Sequence, residues 1–173
     1  KEGADGPYGE IALSDDTLQL RFVGDGDRGA GSRLTGGFFL SEERDIVLTA
    51  GMIFPAGFDD NRLQINFGPR AYAALLEEEN EDVMAVSLGG EIRFEMDTDS
   101  GFAVVGEAYY APDILTFGAA NNLTDLSARL EIRLQQRLTV FGGMRWFEFD
   151  LAEDEDTRTL QEELFVGVGW RFD

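Results

Sequence analysis

The chain has no cysteine and no histidine. The first absence excludes disulfides and thiolate metal sites. The second removes the usual general base, the commonest metal ligand and the Ser-His-Asp and Cys-His nucleophile systems in one step. Lysine occurs only at position 1, and there are 4 prolines. Long hydrophobic runs are missing too. The longest charge-free stretch, Ile46 to Phe58, falls well short of the roughly 20 apolar residues that a membrane-spanning helix needs. The first residues, Lys1-Glu2-Gly3-Ala4-Asp5, lack the basic-then-apolar profile of a signal peptide, so the expectation is that any such peptide has been removed or left out.

What remains is a chain of 173 residues, a length that suits one domain over 1–173. Its 21 glycines, 14 phenylalanines and 28% charged residues fit many short strands joined by polar turns better than a helical bundle or a disordered chain. A formal charge of −20 repels nucleic acid, and no basic stripe is interleaved with stacking aromatics, so no nucleic-acid partner is expected. The acid collects in Glu42-Glu43-Arg44-Asp45, Glu77-Glu78-Glu79-Asn80-Glu81-Asp82 and Glu153-Asp154-Glu155-Asp156, which lie between apolar segments and read as solvated loops.

Between those loops the side chains alternate with a period of two, the spacing that puts one set on each face of a strand. Leu164, Val166, Val168, Trp170 and Phe172 share one face, opposite Phe165, Gly167, Gly169 and Arg171. Leu138 to Phe147, Phe102 to Tyr110, Met84 to Glu95 and Leu63 to Leu75 repeat the pattern. Two segments are ambiguous. Ala71 to Glu79 has helix-forming composition, and Leu123, Leu126, Leu130 and Leu134 fit a helical stripe. Ile132 would fall off that stripe, whereas as a strand Leu126, Ala128, Leu130, Ile132 and Leu134 face away from Ser127, Arg129, Glu131, Arg133 and Gln135 without exception. Both are read as strands. Earlier segments are Ile46 to Phe54, Leu34 to Ser41, Leu18 to Val23 and a short one around Ile11 to Leu13, with a tight hairpin at Ser14-Asp15-Asp16 to account for the change of parity. The count is ten strands, or eight if the first two segments, with residues 1–16, lie outside the sheet.

The kind of charge decides which face points outward. Arg21, Arg70, Arg93, Arg129, Arg133, Arg145 and Arg171 share a face with Glu91, Glu95, Glu107 and Glu131, and the opposite face is uncharged across the long strands. Planar, permanently charged arginine paired with glutamate suits a confined interior, where bidentate hydrogen bonds satisfy groups that bulk water does not reach. The later strands also have the roughly 9 to 11 residues that cross a bilayer at a tilt. The expected fold is therefore all-β, a closed antiparallel up-and-down transmembrane barrel with a polar, charged interior. Phe54, Phe94, Phe102, Tyr110, Trp146, Trp170 and Phe172 lie near the ends of the apolar faces, as interfacial girdles would. Asp97 to Gly101 and Gln135 to Arg137 are short, whereas Pro112 to Thr124 and Leu151 to Leu160 are long. Short turns belong on the periplasmic side, so both termini are expected there.

The run Gly106-Glu107-Ala108-Tyr109-Tyr110-Ala111-Pro112-Asp113 resembles the signature segment of the YfaZ family of outer-membrane proteins. Leu88-Gly89-Gly90-Glu91, the strand with Arg145, and the closing Phe165-Val166-Gly167-Val168-Gly169-Trp170-Arg171-Phe172 follow in the order that family shows. The resemblance covers roughly residue 17 to the end and is strongest from Ala85 onward. It departs in its heavily acidic loops and in Asp173, which follows Phe172 where such barrels usually end on phenylalanine. It implies a fold, an outer-membrane location, contact with outer-membrane lipids and lipopolysaccharide, and recognition of the C-terminal strand by the barrel assembly machinery. It carries over no catalytic residue.

Candidate chemistry is sparse. Glu91 and Glu107 on adjacent strands form a possible acid and base pair, but carboxylates beside arginines are more simply ion pairs. Folding the hairpins about their turns places Glu91, Glu107, Arg129 and Arg145 near one level, with Glu107 and Arg129 expected to pair. Asp97-Thr98-Asp99-Ser100-Gly101 and Gly24-Asp25-Gly26-Asp27 resemble the start of calcium loops but lack the later acidic ligand, so turn chemistry is favoured and no metal or cofactor is expected. The leading expectation is a non-enzymatic barrel with a structural, adhesive or envelope-maintenance role. A narrow pore for ions or small solutes is the first alternative. A soluble lipocalin-like ligand-binding barrel, with its apolar face inside, is the second.

Overall fold

The computed structural model describes residues 6–25, 31–56, 62–77, 81–97, 101–118, 120–151 and 157–172. Its strands are β1 (Tyr8–Leu13), β2 (Thr17–Asp25), β3 (Arg33–Ser41), β4 (Ile46–Pro55), β5 (Leu63–Leu76), β6 (Glu81–Asp97), β7 (Phe102–Ala111), β8 (Thr116–Gly118), β9 (Ala120–Arg133), β10 (Leu138–Leu151) and β11 (Thr157–Arg171). All pair antiparallel in one sheet, in sequence order apart from β8, and β1 pairs with β11 from Tyr8↔Arg171 to Leu13↔Val166. That seam leaves no free edge between the first and last strands, which is how a barrel avoids exposed ladders.

β8 is a continuation of β7 rather than an extra wall. β7 pairs with β6 only as far as Leu88↔Tyr110. After a single 3-10 turn, Asp113–Leu115, β8 meets β6 again at Val83 to Ala85. The wall therefore has ten strands, one of them interrupted. β1 belongs to it, joined to β2 by a tight hairpin in which Leu13 faces Leu18. The eight-strand alternative does not apply.

Ala71 to Leu76 and Leu126 to Arg133 are both strand. Long-range ladders outweigh the helical propensity of an alanine- and leucine-rich segment. Leu134 and Gln135 lie in the turn before β10. The ladder between β4 and β5 is interrupted between Gly51↔Arg70 and Phe54↔Phe67, where Pro69 has no N–H to give. Gly68, beside it, lies so close to the Met52 carbonyl oxygen that a Cβ would overlap it.

The loop asymmetry expected from sequence is absent. Pro112 to Thr124 is not one long loop, because it contains the 3-10 turn, β8 and the start of β9. The connections at the end that holds the termini, β2 to β3 and β4 to β5, are as long as those at the other end. Extension of β9, β10 and β11 into the sequence read as loop accounts for the difference. The acidic segments 78–80 and 152–156 and the segment 98–100 lie outside the described residues.

Candidate functional site

Alternation sorts the side chains onto two faces. The outward face carries Leu88, Ile92, Leu164 and Val166, each more than half exposed, with Phe22, Leu34, Leu48, Phe67, Met84 and Leu130 around the same belt. Such an area far exceeds the few hundred Å² of contiguous apolar surface usual for a soluble monomer. It also has the wrong orientation for a lipocalin-type barrel, whose apolar face points inward. Outward charge among the described wall residues includes Asp82, Glu148 and Glu162, which lie toward the end away from the termini. Phe54, Phe94, Phe102, Trp170 and Phe172 stand on this face near the end that holds the termini, Tyr110 and Trp146 toward the other end. Trp170 and Phe172 meet edge to face, ring centroids 5.9 Å apart, and Phe22 lies 6.2 Å from Phe172.

The inward face is layered along the barrel axis. Away from the termini it is filled by apolar side chains: Phe39, Val47, Tyr72, Leu123, Phe147 and Phe149 form the centre of one buried cluster. Phe147 meets Phe39 edge to face and Tyr72 and Phe149 at a tilt, with centroid separations of 5.9, 5.6 and 5.5 Å. Aromatic pairs at this spacing are mutually favourable beyond the area they bury. Phe147, Phe149, Leu123 and Val47 are fully buried there.

Below this plug lies a network of arginines and carboxylates whose bonds cross the lumen. Arg21 of β2 bonds to Glu107 of β7, and its other nitrogen lies 3.6 Å from Glu91 of β6. Arg70 reaches Glu107 at 3.3 Å and stacks on the Tyr109 ring. Arg129 grips Glu10 through two bonds of 2.8 and 2.9 Å and Glu131 at 2.7 Å. Arg93 bonds to Glu131 and lies 3.7 Å from Glu95. Arg145 holds Asp125 in a bidentate pair at 2.9 Å, and the Tyr72 hydroxyl donates to the same carboxylate at 2.7 Å. Arg21 with Glu107 and Glu91, Arg70 with Glu107, Arg129 with Glu10, Arg93 with Glu131 and Tyr72 with Asp125 join strands that are not neighbours, so these bonds run through the interior, whereas Arg145–Asp125 links adjacent strands and Arg129–Glu131 and Arg93–Glu95 lie along one strand each. Guanidinium suits this, since its planar fork serves two carboxylates at once.

The expected Glu107–Arg129 pair does not form. Glu107 stands opposite Ser127 and Arg129 opposite Val105, a shift of two residues that gives each a different partner. Glu91 and Glu107 are direct cross-strand partners, but Arg21 and Arg70 neutralise them, which is the arrangement of an ion-pair network rather than of an acid and base. Arg133 and Arg171 lie lower, at the end that holds the termini.

Three central residues escaped the sequence reading. Glu10 shares the inner face of β1 with Ala12, which its even number beside outward Ile11 and Leu13 could have revealed. Asp125 was hidden by reading its surroundings as loop. Tyr72 was placed on the polar face without a role. A chain of amides and hydroxyls also crosses the lumen: Arg145 donates to Gln19, Gln19 to Gln161 and Gln161 to Thr17, at 3.0, 2.7 and 3.0 Å.

Exposure of most of these side chains falls along the axis, although Glu131, level with Glu95, is only 5% accessible. The side chains of Glu95 and Arg93 are 26% and 21% accessible, those of Glu91 and Glu107 13% and 10%, and that of Asp125 5%; Phe147 and Phe149 above it are sealed. The more accessible of these charged side chains thus lie toward the end that holds the termini. Among the described residues the lumen has the form of a funnel that narrows toward these rings, with a cavity of about 90 Å³ between Arg21, Arg70, Glu107, Arg145, the small wall of Thr35, Gly37 and Thr49, and the rings of Phe39 and Phe147. Among the described residues no group of three or more acidic side chains is arranged to hold a metal ion.

A family model described as YfaZ precursor matches residues 20–172. No curated relative matches the chain. Among solved structures, the chain is similar to a KdgM porin in complex with disordered oligogalacturonate, at 11% identity, over 97% of this chain and 99% of that one, with a TM-score of 0.52. It is also similar to a bacterial polysaccharide outer membrane secretin, at 11% identity and a TM-score of 0.58, over 98% of this chain and 66% of that one. At such identities the likeness establishes the fold, a porin-like antiparallel β-barrel.

Proposed function

The chain belongs to the YfaZ family, and from that premise we propose that it is a non-enzymatic barrel of the outer membrane with a structural or envelope-maintenance role, shut to solutes at rest. The aromatic plug around Phe147 carries this reading, because a lumen sealed by apolar rings has no aqueous path from end to end. The uncharged outer belt fits acyl chains, and Phe54, Phe94, Phe102, Tyr110, Trp146, Trp170 and Phe172 fit the two interfaces. Lipids and lipopolysaccharide are then its immediate partners, Phe172 and the last strand the contact for the assembly machinery, and both termini face the periplasm. The absence of histidine and the pairing of the buried carboxylates both speak against catalysis.

The test has two parts. A folded membrane barrel needs detergent and runs at a different mobility before and after boiling in a denaturing gel. Reconstituted in a planar bilayer it gives no stepwise current. Regular conductance steps from the unmodified chain would overturn the closed reading and install the pore in its place. The funnel supports that second reading to this extent: ions reach most of the way, and only the plug stands between them and the far side. Acidic oligosaccharides, the kind of molecule bound to the KdgM porin, are then the first solutes to try.

A further inference from the structure

One inward carboxylate stands outside the network. Glu163 of β11 is directly opposite Arg145 of β10 and shares the inner face with Gln161 and Phe165. Its Oε2 is nevertheless buried without a hydrogen-bond partner among the described residues. Such orphaned oxygens are rare because they cost free energy, so this one calls for a reason. Arg145 is engaged on its other side. Its Nε and Nη2 hold Asp125 of β9, both at 2.9 Å, and its Nη1 donates to Gln19 of β2 at 3.0 Å. The guanidinium thus has a carboxylate on each flanking strand and is bound to one of them. Directly opposite residues of an antiparallel pair have Cβ atoms about 4.5–5.5 Å apart, so rotation of side-chain torsions alone brings Arg145 to Glu163. Arg145 also touches the plug: its guanidinium carbon lies 4.5 Å from the Phe147 centroid and 5.6 Å from that of Phe39, and a cation over a ring face holds the ring.

We propose that Arg145 is a two-position latch that makes the barrel a gated one: bound to Asp125 it holds Phe39 and Phe147 closed, and bound to Glu163 it withdraws from Phe39 and lets the rings part. The cavity of about 90 Å³ borders Arg145 and both rings, which gives them room to move. The exchange strands no charge. Asp125 keeps the Tyr72 hydroxyl at 2.7 Å and Arg70 at 3.7 Å when Arg145 leaves, while Glu163 gains the partner it lacks at rest. Two discrete arrangements of comparable free energy are what a switching element needs. Gln19 donates in turn to Gln161, and Gln161 to Thr17, which couples the latch to the β1–β2 hairpin at the end away from the termini. The inference rests on the reading of the chain as a membrane barrel closed at rest.

Single-channel recording of the full chain in planar bilayers tests the exchange, with heat-modifiable gel mobility showing that each variant is still a barrel. Asp125→Asn removes the charge of the resting partner and is expected to give brief openings where the parent gives none. Adding Glu163→Gln is expected to make those openings about tenfold rarer, the loss that follows when a charge-assisted bond becomes a neutral one. Glu163→Gln alone is expected to stay silent and as heat-resistant as the parent, because it removes a charge without a partner at rest. Openings of Asp125→Asn that persist unchanged when Glu163→Gln is added overturn the latch, as does silence of Asp125→Asn with mobility intact. A loss of heat resistance in Glu163→Gln as large as that in Asp125→Asn also overturns it, since Glu163 would then be paired at rest. Where Asp125→Asn does not fold, Gln19→Ala, which removes another of the bonds holding Arg145 at rest, takes its place in the same measurements. Stepwise current from the unmodified chain overturns the closed reading instead, and the ratio of open times with and without Glu163→Gln still decides the latch.

Discussion

Glu10 and Arg129 are joined by two hydrogen bonds of 2.8 and 2.9 Å although 119 residues separate them in the chain. The pair ties the first strand to β9 across the lumen, past the seam at β11, and so fixes β1 in the wall. Removing one partner of a confined ion pair leaves the other charge uncompensated, at a cost of about 3–5 kcal/mol. Glu10→Ala is therefore expected to lower the temperature at which the barrel loses its compact gel mobility, and Glu10→Gln to lower it less. Parental heat resistance in Glu10→Ala would make the pair decorative.

Burial separates strong pairs from weak ones in this chain. Asp125, 5% exposed, serves Arg145 and Tyr72 directly, while Arg44 and Glu77 pair in the open at 78% and 57% exposure. Asp125→Ala is expected to destabilise by several kcal/mol, Arg44→Ala by about 0–1. Unfolding in urea, followed by tryptophan fluorescence in detergent, measures both.

The plug predicts how conduction would be created. Phe39 and Phe147 meet edge to face above the cavity, so Phe39→Ala with Phe147→Ala joins the cavity to the far side. The double variant is expected to show steps of current in a planar bilayer where the parent shows none. A silent double variant would move the barrier elsewhere in the lumen.

Leu88, 63% exposed, stands on the outer belt beside Tyr110. Leu88→Arg puts a charge into hydrocarbon at about 2–4 kcal/mol and should reduce folding into vesicles sharply. Gln64→Arg, on the inward face of β5, should fold as the parent does. Equal folding of the two variants would mean that lipid does not contact this face.

One pH effect is expected outside the membrane. The Glu42 carboxyl is held above its usual pKa, first by a hydrogen bond with the Asp16 side chain and then by the charge of Asp16. Its proton is bound more tightly in the folded chain than in the unfolded one, so this turn contributes stability below the unfolded pKa and loses it as pH rises through the raised value. Carboxyl NMR titration should place the Glu42 midpoint above that of a free glutamate, and Asp16→Asn should bring it down.

Much of the wall was legible because a period of two leaves little freedom: once Leu130 and Ile132 face lipid, Arg129 and Glu131 must face inward. Parity did not say which arginine meets which glutamate. That depends on register and on the stagger of the closed sheet, where a shift of two residues keeps every side chain on its face but changes its partner. Glu107 went to Arg21 and Arg70 for this reason. Asp125 was missed for another: the fall in apolar alternation between Pro112 and Thr124 marks where the wall rises past its outer belt, not where the strand stops.

The seam between β1 and β11 sets a condition on the order of events. Tyr8 and Arg171 can pair only when nearly the whole chain has been delivered, and the length-dependent part of closing a loop of that size is about 4–5 kcal/mol. Until then the partial sheet carries two open ladders, each able to capture a strand from another molecule. Completion of the last strand is thus the moment at which an aggregation-prone ribbon becomes a sealed cylinder, and the carboxylate of Glu10, arriving with the first strand, must wait for Arg129 before it has a partner.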